Sequence, residues 1–185
     1  YPLDLLSNIL SEGDSSRLVQ SLREKQRLVF SIGSWSYTPS YEGGVFAVKS
    51  VLKPEQIEPA EKAVIEELQR VQREPVTDAE LQKAKKQVAA SRYFGLQTAT
   101  DLAADLGSNL ISANDPDFTN TYVANIQKVT ADEIMRVART YFRPDRLCVG
   151  VVRPPVEKGP SVATAAGKAG EIRKIQGPNG IRLLV

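Results

Sequence analysis

The stretch LREKQRLVFSIG, Leu22–Gly33, carries the chain from a charged segment into an apolar run with no glycine or proline between them. Upstream, Leu18, Val19 and Leu22 recur at helical spacing. From Leu28 to Tyr37 the chain is rich in β-branched and aromatic residues. A period near 3.6 gives way to a period of 2, so a helix ends and a strand begins within a few residues. Leu28, Phe30 and Ile32 share one face of that strand. Trp35 and Tyr37 fall in the other phase, and Gly33 is where a bulge is expected to reconcile the two. Pro39–Gly44 is turn material and Val45–Leu52 reads as a second strand, which predicts an antiparallel hairpin.

Helices surround this hairpin. Leu3, Leu6, Ile9 and Leu10 mark the first, stopped by Gly13, and Asp14 or Ser15 is expected to cap the second. Ile57, Val64, Leu68 and Val71 form another stripe, in which Pro59 is tolerable only within the first turn. VTDAEL (Val76–Leu81) and VTADEI (Val129–Ile134) are two copies of a capping box, which accounts for Asp78, Glu80, Asp132 and Glu133 as cap and dipole partners. Between them lie helices through Leu102, Leu106 and Leu110 and through Phe118, Tyr122 and Ile126. Leu147–Val152 reads as a short buried strand with Cys148 in the core. Few strands among many helices predict an α+β fold: an antiparallel β-sheet with helices packed on one face, completed by a strand before Tyr1. After Arg153 the composition turns to proline, glycine and alanine, and apolar patterning resumes around a Pro-Asn-Gly turn. The expected organisation is a domain over 1–154, a linker over 155–170 and the first hairpin of a following domain over 171–185.

Composition excludes more than the motifs assert. Lys and Arg number 24 against 22 Asp and Glu, a balance that points to neither nucleic acid nor an acidic membrane as partner. No apolar run approaches the ~20 residues of a membrane span. The sequence has no histidine, so imidazole base catalysis and histidine-based zinc sites are excluded. Its single cysteine rules out a disulfide framework. No catalytic and no metal-binding residue is therefore expected here. Lys83, Lys85 and Lys86 read as a solvated helix face. Trp35 and Tyr37 are expected to pack on a helix, with stacking on a peptide as the other reading.

The run LSNILSEGDSSRLVQSLREKQRLVFSIGSWSYTPSYEGGVFAV, with PVTDAELQKAKKQ further on and PNGIRLLV at the end, resembles the pitrilysin/insulinase family of zinc metallopeptidases, which includes the mitochondrial processing peptidase and the core proteins of the cytochrome bc complex. The resemblance implies the companion domain that follows a zinc domain, without the His-x-x-Glu-His motif. Its expected role is a non-catalytic wall of a chamber in which a zinc-dependent endopeptidase degrades or processes unfolded peptides. The alternative is a structural subunit domain like the respiratory core proteins. Implied partners are a peptide substrate, the preceding zinc domain and following homologous domains of the same chain. Zinc is implied in that catalytic domain and no cofactor in this segment. Bacterial tandem chains of this family further imply a periplasmic or exported protein. In family members that grip substrate, an Arg near the helix end and a Tyr seven positions on bond peptide carbonyls. Arg23 matches the first position and Phe30 stands at the second, without the hydroxyl. On the residues alone, Arg23 is equally well a solvated helix-end cation and Phe30 a core residue alternating with Leu28 and Ile32.

Overall fold

The computed structural model describes residues 1–38, 43–153, 174–176 and 182–184. The tip of the first hairpin, the expected linker and the Pro-Asn-Gly turn lie outside them. Two units separate: Tyr1–Gly150 and Val151–Val185. In the second, β3 (Lys174–Gln176) pairs antiparallel with β4 (Arg182–Leu184).

The first unit opens with α1, Pro2–Ser11. Proline at its first position gives up an amide that no helical carbonyl would accept, and Leu5, Leu6, Ile9 and Leu10 are all buried. Gly13 follows at φ +76°, a conformation glycine adopts without cost. The second helical segment starts one residue later than expected. Ser16 stands before it, with its hydroxyl turned back to the Gly13 carbonyl at 2.7 Å, and neither Asp14 nor Ser15 caps it. Its main stretch, Val19–Lys25, is a π-helical turn. Each hydrogen-bonded ring holds one residue more than in an α-helix, as in the 3.1 Å bond from the Gln26 amide to the Ser21 carbonyl.

The abrupt exit is made by Arg27, which takes the left-handed conformation at φ +54°. For a residue with a Cβ this costs roughly 1–2 kcal/mol. The chain then closes with a 2.8 Å bond from the Leu28 amide to the Leu22 carbonyl. Arg27→Gly is accordingly expected to be neutral or stabilising, and Arg27→Val to destabilise by a further ~1–2 kcal/mol, since a β-branched side chain suits this conformation least. Denaturant titration of the two variants side by side checks this.

Strands β1 (Ser31–Tyr37) and β2 (Val45–Val51) pair antiparallel from Ser31↔Val51 to Tyr37↔Val45 with no residue skipped. The bulge expected at Gly33 is therefore absent. The phase is reset earlier, where Val29 is buried but Phe30 and Ser31 in succession are exposed. Ile32, Phe46 and Val48 then pack on the core, and Phe46 meets Phe142 at a ring separation of 4.8 Å.

Helices α2 (Ile57–Arg73), α3 (Asp78–Phe94), α4 (Ala99–Ala113), α5 (Phe118–Lys128) and α6 (Ala131–Tyr141) follow. Pro59 sits in the first turn of α2, and both capping boxes form as read, at Thr77/Glu80 and Thr130/Glu133. The core draws Leu5, Leu6 and Leu10 from α1, Leu18 and Leu22 from the second helical segment, Val71, Ile126 and Ile134 from later helices; all are under 2% exposed. The architecture is the expected α+β one, with helices on one face of an antiparallel hairpin. Among the described residues no helix is long and apolar enough to cross a membrane.

Three further local expectations fail. Leu147–Val152 forms no strand: it pairs with neither β1 nor β2, and Leu147, Val149 and Val151 are about half exposed. An apolar run needs a neighbouring edge to hold its amides, and among the described residues no strand pairs with it. Cys148 is exposed for the same reason. Lys85 is not on a solvated face; it is 6% exposed and its ammonium donates 2.8 Å to the Gln127 carbonyl, tying α3 to the end of α5.

Candidate functional site

The junction between the π-helical turn and β1 is built to hold two side chains. Arg23 lies in the last turn of the π-helical segment. Its Nε donates 2.8 Å to Glu24 and its Nη2 donates 2.7 Å to Asp14. These bonds raise its pKa above the ordinary arginine value, Asp14 foremost. The Nη1 corner takes part in neither bond, and the side chain is one-third exposed. The guanidinium is thus held in a fixed orientation by two carboxylates while part of its donor set faces outward.

Phe30 is 63% exposed, which overturns the reading of it as a core residue. The left-handed residue at Arg27 and the bend before β1 shift the alternation by one, so Val29 takes the core position instead. The Phe30 amide donates 2.7 Å to the Val51 carbonyl, which fixes its backbone to β2. No ring–cation contact joins Arg23 to Phe30; among the described residues that contact is found between Arg92 and Tyr122.

The outward face of the hairpin continues this surface. The pairs Trp35↔Ala47 and Tyr37↔Val45 stand on the side away from the helices, and Trp35, Tyr37, Val45 and Val51 are about half exposed. Trp35 and Tyr37 therefore do not pack against a helix as expected. Their phase opposite to Ile32 was the available signal, and with helices on a single face it sends them outward.

The residues present do not fit a zinc site. The chain has no histidine, and among the described residues no group of three or more possible ligands comes together.

Residues 1–88 match the model of the peptidase M16 inactive domain. This chain belongs to the inactive-domain family of the M16 peptidases. It is 30% identical over 156 residues to an uncharacterized zinc protease of Streptomyces coelicolor, covering 83% of this chain and 34% of that protein. Against an uncharacterized zinc protease of Bacillus subtilis the identity is 26% over 146 residues, covering 78% and 35%. A solved protease from Helicobacter pylori superposes with a TM-score of 0.70 at 27% identity, over 78% of this chain and 35% of that one. The inactive peptidase domain of a Bordetella parapertussis protein gives 0.70 at 17% identity over 85% of each chain, and a chain of Candida albicans complex III gives 0.64 at 14% over 76% and 36%; these two share the fold. The M16 chain spans about a third of the length of the curated relatives it matches.

Proposed function

We propose that this M16 inactive domain is the non-catalytic wall of a substrate chamber in a zinc-dependent endopeptidase acting on unfolded peptides. The observation that carries this reading is the junction itself: an exposed Phe30 follows a guanidinium held by Asp14 and Glu24. In this role Arg23 donates from its outward corner to a peptide carbonyl, and Phe30 supplies apolar contact without a hydroxyl. Zinc and the residues that bind it belong to a preceding domain, since this chain has no histidine to offer. Following domains of the same chain complete the enclosure.

A hydrogen bond to a charged donor contributes roughly 1.5–3 kcal/mol. Arg23→Ala in the full-length protein is therefore expected to raise KM for a fluorogenic peptide about tenfold while leaving bound zinc unchanged, as read by metal analysis. Unaltered kinetics would remove Arg23 from the site. They would favour the second reading, a structural subunit domain like the respiratory core proteins. That reading draws on the two carboxylates already paired with Arg23, which give the side chain a role within the fold.

A further inference from the structure

The turn between α1 and the second helical segment fixes where the Asp14 carboxylate points. Gly13 takes φ +76°, the Ser16 hydroxyl donates 2.7 Å to the Gly13 carbonyl, and the Gln20 side-chain amide donates 2.8 Å to the Asp14 carbonyl. From α3, the Lys83 ammonium reaches the Ser15 hydroxyl. The backbone around Asp14 is thus held from several sides, and its carboxylate is presented to Arg23 Nη2. Glu24 meets Nε of the same guanidinium, so one cation is matched by two carboxylates. Lys25 and Arg27, the other cations of this segment, are exposed, and among the described residues neither forms an ion pair with Asp14 or Glu24. Of the guanidinium nitrogens only Nη1 is unengaged. An incoming carboxylate gripped by two parallel bonds would have to share Nη2 with Asp14, and it would lie beside two like charges. An uncharged carbonyl oxygen needs only Nη1.

We propose that Asp14 and Glu24 determine specificity at this site: with both in place, Arg23 binds an uncharged main-chain carbonyl within a peptide and turns away a free C-terminus or an acidic side chain. The proposal rests on the peptide-wall reading and adds to it the class of segment taken, an internal stretch that is neutral or basic where it meets Arg23. Discrimination of this kind comes from the repulsive element as much as from the attractive one. An arginine with its whole donor fork free would have the opposite preference, for a carboxylate over a carbonyl. Removing the two carboxylate charges should therefore change the order of preference among peptides, beyond any general weakening. Asp14→Asn and Glu24→Gln keep the shape and an acceptor oxygen for Arg23 while removing the charge. Asp14 is 88% exposed and Glu24 49%, so the repulsion acts partly through solvent and fades with added salt, its reach being about 10 Å at 0.1 M ionic strength.

The test uses the full-length protein and internally quenched peptides of one length, in which a single Glu, Gln or Lys is moved along an otherwise uncharged sequence. At the position that meets Arg23, the Glu peptide is expected to have a KM about fivefold or more above that of the Gln peptide at equal kcat, and the Lys peptide a KM no higher than that of the Gln peptide. A peptide shortened so that its C-terminus falls at that position should behave as the Glu peptide when free and as the Gln peptide when amidated. Asp14→Asn combined with Glu24→Gln should bring the Glu-to-Gln ratio below about twofold, with each single variant giving part of the change, and added salt should lower the ratio in the wild type. A purely structural role for the two carboxylates would raise KM for all the peptides together and leave the ratio unchanged. A ratio unchanged by the double variant therefore overturns the proposal, and so does a Glu peptide bound as well as its Gln counterpart at every position. If no penalty for Glu is found while Arg23→Ala still raises KM, the specificity assignment falls and the peptide-wall reading stands. A KM unmoved by Arg23→Ala for every peptide removes both.

Discussion

Arg17→Ala is expected to destabilise the protein by about 3 kcal/mol, the low end of the range for removing one partner of a buried ion pair, because Arg17 and Glu80 are part-buried. Arg17 binds Glu80 through two parallel bonds, Nε to Oε1 at 2.6 Å and Nη2 to Oε2 at 2.8 Å. Its Nη1 lies 3.9 Å from Glu67, whose side chain is only 8% exposed. Truncation removes the cation that both carboxylates, Glu67 on α2 and Glu80 on α3, lie against. Arg70 remains 3.7 Å from Glu67 and keeps the loss from the top of the usual range. Arg17→Met retains the apolar stem, and combining it with Glu67→Gln should recover much of the loss. Chemical denaturation of the three variants measures this.

The same cluster sets the response to acid. Hydrogen bonds from Arg17 hold the Glu80 carboxyl at about 2, below its ordinary 4.5, with the Thr77 amide and hydroxyl adding to the effect. A carboxylate whose pKa is depressed in the folded state contributes stability that is complete above the unfolded value and is lost as pH falls through the folded one. The window here runs from about 4.5 down to about 2. Wild-type stability should fall across that window, and Glu80→Gln should flatten the slope.

Leu22→Ala has an effect of similar size, about 3 kcal/mol, for a different reason. Leu22 is wholly buried in the core cluster, and a truncated leucine leaves a cavity that its neighbours fill only in part. Its carbonyl also receives the Leu28 amide that closes the junction. The variant should therefore lose hydrogen-exchange protection at Leu28 before the helices of the opposite side, and its KM should rise with that of Arg23→Ala. A uniform loss of protection across the unit would show that the junction is not a separate weak point.

What was legible in the sequence was whatever depended on local chemistry. The two Thr-x-x-Glu boxes form as read because each satisfies its own helix end and needs no distant partner. Pro59 and the leucines of α1 were readable for the same reason. Several of the failures are cases in which a distant group decides. Glu80 was read as a cap and is one, but its second role depends on Arg17, 63 positions away. Lys85 is held by a carbonyl at the end of another helix. Phe30 followed its neighbours in the pattern, and a single left-handed residue at Arg27 moved it to the surface. At the candidate site, the Arg23 position came from family resemblance; its anchoring by Asp14 is a product of how the turn after α1 folds back.

The π-helical turn at Val19–Lys25 has a bearing on how relatives line up with this chain. Such a turn accommodates one surplus residue without disturbing the elements on either side. A homologue one residue shorter between Leu18 and Leu28 should wind this segment as an ordinary helix, and an alignment that forces a gap elsewhere would assign the wrong residue to the position of Arg23.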